Sequence, residues 1–508
     1  MRYFLVLDAG TTSMKVALVD ESGRAVATWA REYTLSTPDT DSAELDAEQY
    51  WQAAVAGARR VLTQSQIDPR GVVALAISSQ GETLIPVAKD GTPLRPAIVW
   101  VDNRSAREAQ VIEEAFGVEL VHQITGQPQV VPTWPATKVL WLKQHEPTVF
   151  QDTWKYCMVE DFLLHRLTGA WVGELSVHSS TLWLDINHGC LWPDMLRFLG
   201  VDESVFPDIR RSGEIIGPLL PAVAHLLGLS SQTVVVSGAL DQPAGAIGAG
   251  NIRPGICSET TGAALAAVIT LDEPLVDPDR RLPCHMHGVP GKYYLMPWGQ
   301  TAGLLLKWFR DNLCPDLKDT DDAYDKLVDA AASVQPGCDG LVVLPHITGA
   351  ACPEFDPSAK GVFFGISLLH TRAHFVRAIL ESVAYMLRKN LSLLPGLGIQ
   401  IDAIRSLGGG SRSSLWNTIK ADVTGTPVIT LEASDEAACV GAAMIAAVAT
   451  GVYSDLEQAS EKMVRPGRHY SPAPQTHAEY EQFYQTYLEL YDSLAGLFQQ
   501  ASRVHTNC

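Results

Sequence analysis

Apolar residues fall in short β-branched blocks separated by longer stretches of helical spacing, the pattern of an α/β protein. Tyr3 to Asp8 is the first block and predicts a strand. A turn of small residues follows, Ala9-Gly10-Thr11-Thr12-Ser13, and Met14 to Val19 returns before Asp20-Glu21-Ser22-Gly23 closes it. Strand, tight turn and strand predict a β-hairpin rather than a strand-to-helix unit. Gln49 to Gln64 predicts a helix, with Trp51, Val55 and Val61 near helical spacing. Val72 to Ser78 and Pro96 to Val101 predict further strands.

A second series opens at Thr233 to Gly238. Ile256 to Glu259 leads into Thr260-Thr261-Gly262 and the apolar run Ala263 to Ile269. This is again strand, hydroxyl-and-glycine turn, strand, about 250 residues after the first. The pattern reads as one hairpin device used twice; two unrelated hairpins are the alternative. Near the C-terminus Tyr480, Phe483, Tyr484, Tyr487, Leu488, Tyr491 and Leu494 recur at three- and four-residue spacing, the docking face of an amphipathic helix. Tyr470-Ser471-Pro472-Ala473-Pro474 before it reads as a linker.

Composition narrows the function. The chain has 508 residues and a net charge of −19, with 46% hydrophobic and 19% charged residues, as in folded multidomain proteins. So large an acidic excess speaks against a nucleic-acid or anionic-membrane partner, which needs a basic face, but leaves room for a local anion site. No run of 18 apolar residues predicts a spanning helix, and MRYFLVLDAG reads as a strand rather than a targeting segment. The nine scattered cysteines (Cys157, Cys190, Cys257, Cys284, Cys314, Cys338, Cys352, Cys439 and Cys508) then read as reduced thiols of a cytoplasmic protein.

Three constellations carry candidate chemistry. Asp8-Ala9-Gly10-Thr11-Thr12-Ser13-Met14-Lys15 offers backbone amides, three hydroxyls and a cation, a phosphate cradle without P-loop spacing. A carboxylate such as Asp8 beside phosphates calls for Mg²⁺ between them. Asp241 follows a strand and opens a small-residue stretch, where it can accept a proton or cap a helix. Gly408-Gly409-Gly410-Ser411-Arg412-Ser413-Ser414 precedes Leu415, Trp416 and Ile419, and predicts a glycine-rich helix start suited to a nucleotide. Ala437 to Ala443 predicts a helix able to approach its neighbours closely. Cys284-His285-Met286-His287 groups potential metal ligands but lacks a second ligand pair at zinc spacing, and no HExxH or GxSxG is present.

In this order the pieces resemble the FGGY carbohydrate kinases, members of the actin, hexokinase and sugar-kinase superfamily, over nearly the whole chain. One signature of that family resembles Pro135-Ala136-Thr137-Lys138-Val139-Leu140-Trp141-Leu142-Lys143-Gln144, with Thr133 where the family prefers an aromatic residue, Gly, Ser or Met. The other resembles Gly361, Phe363, Gly365 and Ile366 followed by His374-Phe375 and Ala378-Ile379-Leu380-Glu381. The resemblance implies an α/β protein of two RNase H-like (actin-like ATPase) domains with an interdomain cleft. Residues 1–246 would carry the sugar site, the first phosphate hairpin and the catalytic Asp. Residues 247–508 would carry the adenosine site, the second hairpin and the C-terminal helix.

The same resemblance implies ATP and Mg²⁺ as cofactors. Thr11, Thr12 and Lys15 would contact phosphate from the first hairpin, and Thr261 and Gly262 from the second. Gly303 would lie near the nucleotide, with Gly409, Gly410 and Ser414 along the adenosine. Asp8 would organise Mg²⁺ through water, and Asp241 stands where the family places its general base. Gln80, Gly81, Glu82, Trp100, Asp102 and Gln242 would line the sugar pocket.

Glu82 and Gln242 resemble the hydroxyl-binding residues of glycerol kinases, which carry Arg at the position of Gly81 and Tyr at that of Thr133. Loss of both side chains would open the pocket to a longer substrate. Trp100-Val101-Asp102 and Gly408 to Ser413 resemble xylulose kinases, whose Met-His pair is replaced by Gly81-Glu82. The expectation is a small-molecule sugar or polyol, first a pentulose such as D-xylulose, with ribulose, erythritol, glycerol and gluconate as alternatives. The family also implies a homodimer, although the chain marks no interface. From other classes, a non-catalytic actin-like nucleotide switch remains, and a nicotinamide dehydrogenase is disfavoured because no dinucleotide fingerprint follows a strand.

Overall fold

The first hairpin forms as β1 (Tyr3–Ala9) and β2 (Ser13–Asp20), antiparallel, with Tyr3 opposite Asp20 and Ala9 opposite Met14. In the computed structural model, which describes residues 1–318 and 320–505, both strands are apolar on both faces. Leu5 and Leu7 join one core with α1 (Glu48–Ser65), whereas Phe4 and Val6 join another with the helix Ala437–Ala449. A sheet covered on both sides needs this near-continuous apolar run. β2 pairs with β3 (Ala25–Glu32), β1 runs parallel to β4 (Val72–Ser79), and β5 (Ile215–Pro218) pairs antiparallel with β6 (Val234–Leu240), itself parallel to β4.

These strands belong to a unit made of Met1–Arg253, Thr270–Leu295 and Glu436–Arg465. A third core in it packs around α2 (Pro135–His145) with Leu84, Ile98 and Trp183. The expected strand Pro96 to Val101 is reduced to Ala97–Ile98, paired with Glu44–Leu45. Trp100 leaves the ladder because its backbone N–H goes to the Thr83 hydroxyl instead. The small-residue helices do meet backbone to backbone. A Cβ on Gly248 of α3 (Asp241–Gly248) would fall 1.9 Å from the Ala437 carbonyl oxygen.

The second unit comprises Pro254–Ile269, Met296–Asp435 and Pro466–Cys508. Its hairpin is β7 (Ile256–Thr261) and β8 (Leu265–Leu271); β7 runs parallel to β9 (Ala403–Leu407), β9 parallel to β10 (Val428–Leu431), and β10 antiparallel to β11 (Pro466–Tyr470). Read outward from the hairpin, the directions repeat those of β2, β1, β4, β6 and β5. Both units are RNase H-like, as in actin-like ATPases, and the repeated hairpin holds the same place in each sheet.

The triple glycine does not open the helix as expected. Gly409–Arg412 form a 3₁₀ turn, and α5 (Ser414–Thr424) starts afterwards, capped by the Ser413 hydroxyl accepting from the Trp416 N–H at 3.1 Å. Tyr480, Tyr484 and Tyr487 of α6 (Pro474–His505) surround Tyr385 of α4 (Arg372–Leu391), so the aromatic stripe is a docking face. Tyr470 ends β11 and only the residues after it link to α6. The cysteines from Cys157 to Cys439 are free thiols; Cys508 lies outside the described residues. Among the described residues no helix is long and apolar enough to cross a membrane.

Candidate active site

In the first unit the ends of β1, β4 and β6 bring three acids into one electrostatic group. Asp8, near the end of β1, lies opposite Ser78 and Lys15 in the sheet and accepts from the Ser78 hydroxyl at 2.9 Å. Asp241 follows β6 directly. It is the first residue of α3 rather than its cap, which is Leu240, and is partly exposed. Burial, then the charges of Asp8 and Glu82, push its carboxyl up to about 7. Burial pushes Glu82 up to about 7 as well, against the Ser180 hydrogen bond and the Lys138 charge. A carboxylate poised near neutrality can take a proton from a hydroxyl and release it again.

The position of Asp241 is set from beneath. β6 bulges between Val236 and Ala239, and a Cβ on Gly238 would sit 1.4 Å from the Ile77 carbonyl oxygen. Only glycine fits there. The Gly238 N–H donates to Glu160 at 2.8 Å, and the Leu240 N–H to the Ser176 hydroxyl at 2.9 Å, which in turn donates to Glu174.

Around the acids the expected sugar residues divide. Trp100 is partly buried and its indole N–H donates to the Thr11 hydroxyl at 2.8 Å, so wall and hairpin are joined directly. Glu82 holds a left-handed backbone (φ 59°), uncommon for a residue with a side chain. Its carbonyl accepts from Lys138 of α2, which also donates to the Thr133 carbonyl at 2.5 Å. Gln242 is partly exposed beside Asp241.

Gln80 and Asp102 are different. The Gln80 amide is buried, donating to Tyr50 at 2.8 Å and accepting from Thr83. Asp102 is fully buried, with both oxygens bound to Arg104 and one also to the Ala43 N–H at 2.6 Å. Arg104 lies over the Trp141 ring of the first signature. Both side chains are therefore engaged by partners within the protein. Gly81 does not open space either: a Cβ there would meet Leu240 Cδ1 at 2.7 Å.

Thr11 and Lys15 are partly exposed and Thr12 is exposed on the first hairpin. In the second unit, Gly262 is exposed at the hairpin turn, and its carbonyl accepts from the Gly303 N–H at 2.9 Å. A Cβ on Gly303 would meet that carbonyl at 2.5 Å, so Gly303 serves close packing of turn and helix. The hydroxyl of Thr261 is turned inward, donating to Glu259 at 2.7 Å and accepting from Lys420 at 2.9 Å. It is not available to a phosphate. Gly410 packs on Thr261, while Gly409 is exposed with nothing within 4 Å of its Cβ position. Ser414 is exposed and accepts from Arg468 at 2.9 Å and Tyr470 at 3.2 Å, keeping its own proton to donate. Among the described residues no group of three His, Cys, Asp or Glu forms a metal cage, including around His285 and His287, which burial holds neutral.

Residues 3–248 match the N-terminal domain of the FGGY family of carbohydrate kinases, and residues 260–450 match its C-terminal domain. The chain belongs to the FGGY family of carbohydrate kinases. It is 29% identical over 495 residues to a xylulose kinase of Bacillus subtilis strain 168, covering 97% of each chain. The xylulose kinase from Rhodospirillum rubrum superposes with a TM-score of 0.89 at 30% identity, covering 98% of this chain and 100% of that one. The gluconate kinase from Lactobacillus acidophilus gives 0.90 at 26% identity over 98% and 99%. This FGGY chain is thus a sugar kinase, with the family's signatures placed as scaffold. Lys138 of the first donates to the Glu82 carbonyl, and Trp141 lies against Arg104. Glu381 of the second binds Arg377 and Tyr480 in the core. Sequence reasoning missed Ser180, Glu160 and the Lys420–Glu259 pair, which stand among other polar residues and carry no distinctive local pattern.

Proposed function

We propose that this kinase phosphorylates one hydroxyl of a neutral pentulose of the D-xylulose type, with ATP as donor and Mg²⁺ as the accompanying ion. The observation that carries the reading is the trio Asp8, Glu82 and Asp241 at or just beyond the ends of three adjacent strands, where the charges of Asp8 and Glu82 help to raise the Asp241 carboxyl. Carboxylate oxygens accept hydrogen bonds from several hydroxyls, whereas a sugar acid would meet repulsion at Glu82.

Phosphoryl transfer is governed by positioning and charge neutralisation. Ionised Asp241 accepts the proton of the attacking hydroxyl. Trp100 and Glu82 orient the sugar, and Gln242 adds a polar contact. Thr11, Thr12 and Lys15 present donors and a cation to phosphate oxygens. In the second unit the backbone at Gly262 and the turn at Gly409, with Ser414, serve the nucleotide. Asp8, a carboxylate beside Lys15 on the first hairpin, would organise through water an Mg²⁺ bound mainly by phosphates and water. When bound, Mg²⁺ supplies charge neutralisation on the phosphate oxygens. The division of labour follows a boundary near residue 246, with the sugar site, the first phosphate hairpin and the catalytic Asp before it and the adenosine site and the second hairpin after it.

The test compares kcat/KM for D-xylulose, ribulose, erythritol, glycerol and gluconate, following ADP release. D-xylulose is expected to lead. Glycerol or gluconate in first place overturns the substrate, and sugar-independent ATP turnover favours a nucleotide switch instead.

A further inference from the structure

Lys420 projects from α5 into the second unit with none of its side chain exposed. Its ammonium donates to Glu259 Oε1 at 2.5 Å, to the Thr261 hydroxyl at 2.9 Å and to the Ser406 hydroxyl at 3.4 Å. Glu259, on β7, is equally buried. Its Oε1 also accepts from Ser406 of β9 at 2.5 Å, and its Oε2 from Thr261 at 2.7 Å. One ion pair therefore ties together the last residue of β7, the end of β9 and the middle of α5. The Trp416 ring lies 5.3 Å from the ammonium and helps to cover it.

The upper side of this knot is the glycine turn. A Cβ on Gly410 would fall 2.7 Å from Thr261 Cβ, and one on Gly408 would fall 2.9 Å from the Thr261 carbonyl oxygen. Thr261 is thus clasped between the ion pair below and the turn above. Gly262, directly after it, is the exposed residue of the hairpin. Thr261 thus contacts the glycine turn on one side and adjoins the exposed hairpin residue on the other. A buried charge pair of this kind adds little net stability, but it strongly disfavours arrangements that separate its members.

We propose that Lys420 and Glu259 are positioning residues for the nucleotide: through Thr261 they hold the β7–β8 turn and the Gly408–Gly410 turn in one register. The inference rests on the reading of these two turns as the nucleotide site. Neither side chain touches the ligand in this role.

The experiment measures binding of MgADP to the full-length protein by calorimetry, alongside binding of D-xylulose without nucleotide and the thermal midpoint. Thr261→Val deletes the hydroxyl and Thr261→Ser retains it. The double variant Glu259→Leu with Lys420→Met removes the charges together, leaving no unpaired charge buried. Thr261→Val and the double variant are expected to weaken MgADP roughly tenfold, the scale of one lost net hydrogen bond. Sugar binding should be unchanged, and Thr261→Ser should stay within about threefold of the parent. MgADP binding equal to the parent in Thr261→Val overturns the proposal, as does equal binding in the folded double variant. If the double variant does not fold, the Val and Ser pair decides alone. A parent that binds D-xylulose but not MgADP overturns the nucleotide reading itself and this proposal with it.

Discussion

The indole N–H of Trp100 donates to the hydroxyl of Thr11 at 2.8 Å, joining segments 89 residues apart. Thr11 stands in the turn of the first hairpin; in the proposed function it serves phosphate and Trp100 the sugar, and one hydrogen bond would then fix the two sides against each other. Trp100→Phe keeps an aromatic wall and deletes the bond. We expect KM for ATP and for the sugar to rise together, by roughly 2- to 10-fold. Steady-state kinetics with each substrate varied checks it; a change confined to the sugar would show that the bond does not transmit position.

Asp241→Asn should lower kcat by at least ~100-fold with nucleotide binding retained, the usual scale of a lost general base. The pH profile follows from the same group. Because burial, Asp8 and Glu82 push the Asp241 carboxyl up to about 7, the active, ionised form grows as pH rises through that value. The parent kcat/KM should therefore climb between pH 6 and 8 with an acid limb near 7. The residual activity of the Asn variant should lack this limb.

Glu82→Gln removes one of the charges that raise Asp241. The sign is fixed: with less negative charge nearby, Asp241 ionises at lower pH and the acid limb moves down. The repulsion expected for a sugar acid is lifted at the same time. The ratio of kcat/KM for gluconate to that for D-xylulose should rise several-fold, and an unchanged ratio would place Glu82 outside the sugar site.

Neighbouring glycines should behave oppositely. An alanine at Gly410 drives its Cβ to 2.7 Å from Thr261 Cβ, whereas at Gly409 it meets nothing within 4 Å. Gly410→Ala should cost about 1–3 kcal/mol, the range for overpacking a tight interior. Gly409→Ala should leave the thermal midpoint nearly unchanged. Thermal unfolding of the two variants separates them.

Glu160 tests the support beneath Asp241. Burial and the Glu174 charge hold its carboxyl well above the usual range, so it keeps a proton in the fold to higher pH than in the unfolded chain. Folding then takes up a proton, and this group's contribution to stability falls as pH rises above the ordinary carboxylate value. Glu160→Gln removes that loss and keeps an acceptor for the Gly238 N–H. The difference in thermal midpoint, variant minus parent, should grow more positive from pH 5 to pH 8. A constant difference would mean that Glu160 is ionised in the folded protein.

Much of this architecture is legible in one dimension. Apolar residues at both parities in Tyr3 to Ala9 require a sheet covered on two sides, and the hydroxyl-and-glycine turns at Thr11 and Thr261 mark the two hairpins that the topology shows to be equivalent. Asp241 after a buried strand is already a candidate base. What the sequence could not determine is which way a turn residue faces. Gln80, Asp102 and Thr261 all look like ligand contacts by position, yet each is turned inward by a partner remote in the chain: Tyr50, Ala43 and Lys420 respectively. Local pattern sets the backbone path, because pleat and turn chemistry act over a few residues. Side-chain direction at the ends of strands goes to the partner that satisfies a buried polar group, and only the folded chain supplies that partner.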